Sequence, residues 1–194
     1  TKIGPKPADE FVATARRSLE LLRLDYVDLL AVHGVNNEDL LRETLRPGGA
    51  LEGARRLQRD GRCRFIGFST HGPTELIVRA IETGEFDYVN LHWYFVQPHT
   101  WPAVEAAARH DLGVLIISPN DKGGKLYEAP EPLRRLCAPL TPMQFNDLFC
   151  LSRSEVHTLS IGVARPGDWD EHLGALAWWD QREAIARTIS RRLD

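Results

Sequence analysis

The sequence predicts an α/β protein of parallel βα units, of the (β/α)8 TIM-barrel type but incomplete. Short apolar segments alternate with longer amphipathic ones at intervals of about 20 to 40 residues, the rhythm of parallel βα repeats rather than of a sandwich. No GxGxxG or GxxxxGK(S/T) stretch occurs, which argues against an open nucleotide-binding sheet. Polar residues stand where successive apolar segments end, at His33, Ser69 to His71, Asn90 and His92, Ser118 to Asn120, and Gly162 to Arg165. That is where a barrel carries its chemistry. A full barrel takes about 250 residues, whereas this chain has 194. Five strands and the tail of a sixth therefore read as about strands 4 to 8 with the end of strand 3, in a single domain over residues 1–194. The opening TKIG reads as a strand end at a cut edge.

Taken in order, Pro5 and Pro7 precede a helix from about Ala8 to Leu22, where Phe11, Val12, Ala15, Leu19 and Leu22 recur at spacings of three and four. Leu24 to Gly34, LDYVDLLAVHG, is nearly continuous in apolar residues. It predicts a strand covered on both faces, with Asp28 as a buried hydrogen-bonded partner and His33 at the strand end. A short helix near Leu40 to Leu45 and another ending near Asp60 follow, with Gly61 as the stop. RFIGF (Arg64 to Phe68) and FDYVNLHW (Phe86 to Trp93) are the next strands, separated by a helix opened by Pro73. A helix from Trp101 to His110 leads to the strand Val114 to Ile117, then short and longer helices near Leu133 to Cys137 and Pro142 to Leu151. Val156 to Ile161 is the last strand, Pro166 to Leu176 the helix after it, and 177–194 a docking helix with Trp178, Ile185, Ala186 and Ile189 facing inward.

A net charge of -3, from 24 basic and 27 acidic residues, implies no nucleic-acid or membrane-surface partner. Cys63, Cys137 and Cys150 are odd in number and lack a CxxC pairing, so neither a disulfide framework nor a zinc site is expected. The expected location is cytoplasmic. His71 and His92 also stand at strand ends, but no carboxylate or thiolate completes a metal-ligand pattern.

The segments TK, LDYVDLLAVHG, GRCRFIGFST, FDYVNLHW, GVLIISPNDKGGKL and LSIGVARPGDWDEHL together resemble the aldo/keto reductase superfamily in order and spacing, from Lys2 to about Leu176. SPNDKGGKL and VHTLSIGVARP look most like a long bacterial branch whose members often carry a ferredoxin-like tail. The resemblance implies a (β/α)8 barrel that reduces an aldehyde or ketone with a hydride from NADPH, through an Asp, Tyr, Lys and His tetrad. Lys2 and His33 match the lysine and histidine; the aspartate and tyrosine would precede Thr1, which would leave this chain inactive alone. A carbonyl accepting hydride gains negative charge on oxygen and needs donors beside it.

For the cofactor, NADP with NAD as an alternative, the resemblance implies Ser69, Thr70, Asn90, Ser118, Gly123, Gly162, Arg165, Glu171 and His172. Thr70 stands where the family has asparagine, Leu91 for glutamine, Ile117 for a stacking tyrosine, and His172 for the adenine-binding asparagine. Gly162, Val163 and Asp168 replace the cluster that many relatives use for the 2'-phosphate. These departures motivate the other reading, a barrel of this type acting as a non-catalytic binding or regulatory protein. Beyond a small carbonyl substrate, the sequence names no partner and no oligomeric state.

Overall fold

The computed structural model describes residues 1–193. Six parallel strands alternate with helices in chain order, and the sheet is not closed into a barrel. The fold is described as two compact units, residues 1–91 with 102–114, and residues 92–101 with 115–194. Asp194, the last residue of the expected docking helix, lies outside the described residues.

The first unit is built on β1 (Lys2–Ile3), β2 (Val27–His33), β3 (Cys63–Ser69) and β4 (Tyr88–Leu91). Their register pairs Lys2 with Ala31, Ala31 with Gly67, His33 with Ser69, and Ser69 with Asn90. Side chains alternate along a strand, so these residues share one face. The other face carries Leu30, Val32, Ile66, Phe68, Val89 and Leu91, all buried. Helix α1 (Ala8–Leu22) buries Phe11, Ala15 and Leu19, its predicted apolar stripe. α2 (Glu38–Leu45) is capped by Asn37, whose side chain accepts from the Leu40 N–H. α3 (Ala50–Arg59) packs against α1 and onto β2 and β3. Complete burial of Phe11 and Leu57 contributes about 1.5–3 kcal/mol each. α4 (Thr74–Glu82) follows β3 and buries Leu76, Ile77 and Ala80.

Two glycines are geometrically required. Gly34 has φ +79°, the left-handed turn that ends β2. A Cβ on Gly67 would lie 2.6 Å from the Tyr88 ring, which occupies that space.

Two expectations for β2 are corrected. The strand is not covered on both faces: Leu29 and its register partner Phe65 are 36% and 44% exposed. An apolar run records the tendency to be buried, not what the rest of the fold supplies to bury it. Asp28 is exposed and ion-paired with Arg64 at 2.8 Å. It sits near the strand's start, where a charged pair remains hydrated and contributes little.

The second unit carries β5 (Gly113–Ile117), which begins in the first, and β6 (Thr158–Ser160). The pairing is parallel, Leu115 to Thr158 and Ile117 to Ser160. α5 (Trp101–Arg109) precedes β5, and α6 (Glu131–Cys137) follows it. α7 (Pro142–Leu151) opens on a Thr141–Gln144 capping box. It is buried almost all round, as its apolar sequence requires. α8 (Pro166–Gly174) and α9 (Arg182–Leu193) follow β6. Phe145, Leu148, Cys137, Leu140, Ala175 and Ile189 form a core, with Trp178 and Ile185 packed against it as the helical spacing predicts. Trp93 is buried and packs on Trp101 and Phe149 at centroid distances of 4.8 and 4.9 Å.

Candidate functional site

In the first unit the ends of β2 and β3 bring two predicted residues together. The exposed His33 places Nδ1 2.7 Å from Oγ of Ser69. The Gly34 N–H donates to that same oxygen at 3.3 Å. The Ser69 hydroxyl keeps one proton and a second lone pair, so it can donate to Nδ1 or accept from it. Donation from Ser69 to Nδ1 would put the ring's proton on Nε2, where it could be given to a ligand. Ser69 is 1% exposed, and its backbone oxygen also accepts from the Gly34 and Val35 N–H groups at 2.9 and 3.0 Å.

Thr70, 1% exposed, donates to the Val35 carbonyl at 2.6 Å and accepts from the Gly72 N–H at 2.9 Å. Its hydroxyl ties two strand-end loops together. Asn90, also buried, donates to the Phe68 carbonyl at 3.4 Å. Lys2 is exposed on β1, in the same register series as His33. Neither tyrosine of this unit reaches the His33 level by register. Tyr26 lies just before β2, and Tyr88 pairs with Gly67, one side-chain step below Ser69.

In the second unit the loop after β5 holds Ser118 and Asp121 at φ +51° and +52°. Such backbone is uncommon for these residue types and concentrates at functional sites. Asp121 accepts from Tyr94 Oη at 3.2 Å and the Lys122 N–H at 3.1 Å. Burial, then the Asp121 charge, pushes the Tyr94 phenol up to about 12. Gly123 has open space where a Cβ would stand, as has Gly162. Asn120 Nδ2 donates to the Gly162 carbonyl at 2.8 Å.

The start of α8 is self-occupied. Asp168 accepts from the backbone N–H of Ala164 at 2.8 Å and of Arg165 at 3.2 Å, and from Arg165 Nε at 3.0 Å. The Ala164 bond first, then the Arg165 side chain, holds the Asp168 carboxyl below the usual carboxylate range. His172 is buried with both ring nitrogens engaged, Nδ1 by Asp147 at 2.6 Å and Nε2 by Tyr127 Oη at 2.7 Å. Glu171 beside it is half-buried.

Asp147, Asn146, Tyr127 and Asp121 are absent from the sequence-based site. Asn146 donates to the Pro119 carbonyl at 2.7 Å, anchoring the loop after β5. The signal for the first two was legible: an Asn-Asp pair inside the apolar helix MQFNDLFCL puts polar groups where burial demands partners. Nothing local marks Tyr127.

No family model matches the chain, and no curated protein matches it in sequence. Its fold is that of solved aldo-keto reductases. The holo form of aldo-keto reductase AKR11C1 from Bacillus halodurans matches with a TM-score of 0.74 at 16% identity, covering 94% of this chain and 67% of that one. The thermostable aldo-keto reductase Tm1743 gives 0.70 at 19% identity, covering 95% and 69%. An aldo-keto reductase from Klebsiella pneumoniae, solved in complex with NADPH, gives 0.67 at 16%, covering 97% and 68%. The chain thus spans about two thirds of the length of these structures.

Proposed function

We propose that this chain is part of an NAD(P)H-dependent oxidoreductase of the aldo/keto reductase type, reducing an aldehyde or ketone by hydride transfer. The observation that carries this reading is the His33–Ser69 hydrogen bond, at the strand ends of a fold shared with aldo-keto reductases. A reduced nicotinamide, when bound, supplies the hydride.

The chain's own residues have separable parts in this reading. Ser69 fixes the His33 tautomer, and His33 Nε2–H donates to the carbonyl oxygen, which orients the substrate and stabilises the charge that develops there. Lys2 adds a positive charge on the same face. Neither Tyr26 nor Tyr88 stands at the His33 level, so neither is assigned the delivery of the proton. Gly123, where a Cβ would meet no neighbouring atom, and Ser118 are the loop residues assigned to the nucleotide's phosphates. The donors at the start of α8 fit a 2'-phosphate poorly, because Asp168 already fills them.

The departures at Thr70, Leu91 and Ile117 support the second reading, a non-catalytic barrel of this type. Fluorescence titration of the protein with NADH and with NADPH, together with turnover of a model aldehyde, separates the two. Binding of a reduced nicotinamide with turnover is the expected result. Failure to bind either nucleotide would overturn the oxidoreductase reading.

A further inference from the structure

A hydrogen-bonded chain in the second unit plays no part in the hydride chemistry above. It runs from Asp147 on α7 through His172 on α8 to Tyr127 in the 3-10 turn Lys125–Glu128. Asp147 and His172 are 4% and 6% exposed. Asp147 Oδ1 has no hydrogen-bond partner among the described residues, so this carboxylate is held in place through Oδ2 and His172. Burial holds the Asp147 carboxyl above its ordinary value, an effect that the bond to His172 offsets only in part. The Tyr127 hydroxyl has a second acceptor within reach, the Gly162 carbonyl at 3.4 Å. The same carbonyl receives the Asn120 amide at 2.8 Å.

We propose that Asp147, His172 and Tyr127 form a protonation-operated latch on the Gly162 carbonyl, and so on the connection from β6 to α8. A tyrosine has one hydroxyl proton and cannot give it to His172 and to Gly162 at once. With His172 neutral, Nδ1–H donates to Asp147 and Nε2 accepts the Tyr127 proton; Gly162 then holds the Asn120 amide without the tyrosine. When one proton is taken up at Nε2, the middle bond reverses. Nε2–H donates to the Tyr127 oxygen, and the tyrosine's own proton turns to the Gly162 carbonyl, shortening the 3.4 Å contact. No bond to carbon changes and no electron moves; the imidazolium carries the added charge against Asp147. The other charged groups acting on the trio are Asp168 and Glu171 of α8, Asp168 being paired with Arg165.

The test is a pH titration of the 194-residue chain, following the histidine ring nitrogens and the Gly162 carbonyl carbon by NMR. The expected result is a bare Nε2 at the alkaline end and, on acidification, a His172 transition with a Gly162 carbonyl shift of the same midpoint. Y127F is expected to keep the His172 transition and lose the Gly162 shift. The proposal is overturned by a Gly162 shift that does not follow His172 or that persists in Y127F. A His172 that keeps one protonation state wherever the chain remains folded overturns it equally. The wild-type titration decides the matter if Y127F does not fold.

Discussion

His33 Nδ1 and Ser69 Oγ, 36 residues apart in sequence, lie 2.7 Å from each other across the register of β2 and β3. In the proposed reading the serine fixes the ring's tautomer. Replacing Ser69 by Ala removes a hydrogen bond of about 1 kcal/mol, and the ring is expected to populate both neutral tautomers. Nitrogen-15 spectra of His33 check this directly. S69A is expected to lower kcat by about five- to tenfold.

The Tyr88 ring fills the space of a Gly67 side chain. G67A is therefore expected to destabilise the chain by about 1–3 kcal/mol, in the manner of an overpacked core. A denaturant midpoint measures the loss. The double variant G67A/Y88L is expected to recover part of it, because the clash partner is gone; an additive loss would contradict the contact.

Asp168 occupies the donors that a 2'-phosphate would need. The wild-type protein is expected to bind NADH at least as tightly as NADPH. D168A is expected to shift the ratio toward NADPH by about tenfold, the size of a charge-assisted hydrogen bond. Parallel fluorescence titrations with the two nucleotides read the ratio.

The same carboxylate gives a pH signature. Its folded pKa lies below the unfolded value of about 3.9, owing first to the Ala164 N–H bond and then to Arg165. The stability it contributes is present above the unfolded value and is lost as pH falls through the folded one. D168A is thus expected to be less stable than wild type at neutral pH, with the gap closing below the ordinary aspartate range. Melting temperatures measured down that range test it.

Cys63, Cys137 and Cys150 are buried. Burial pushes the first two thiols up to about 11, and Cys150 well above its ordinary value. Thiolate is the reactive form, so all three are expected to resist a thiol reagent near neutral pH and to react at once in denaturant. Fast labelling without denaturant would show that the chain opens around them.

Most of the architecture was legible in the residues because its causes are local. α1 and α7 begin and end where Pro5, Pro7, Thr141 and the apolar spacing put them. Strand ends were read within about three residues, the widest miss being the start of β2, predicted at Leu24 and observed at Val27, followed by β4, predicted from Phe86 to Trp93 and observed as Tyr88–Leu91. The chain beyond β4 leaves the strand to make the Tyr94–Gln97 bridge, which no run of apolar residues announces. His33 was legible for the same local reason, an imidazole ending an aliphatic run.

The sequence by itself determined the βα order, the residues at the strand ends and the apolar faces, since periodicity and chain-breaking residues act within a few positions. Only the tertiary structure decided what those residues do to one another. Register placed Ser69 on His33, left Leu29 and Asp28 exposed, and set Tyr88 against Gly67. Helix docking brought Asp147 to His172, and the turn at α8 folded Asp168 onto the Ala164 and Arg165 N–H groups. These pairings arise where separate segments meet, and a partner that is distant in sequence leaves no mark on the residues around its mate.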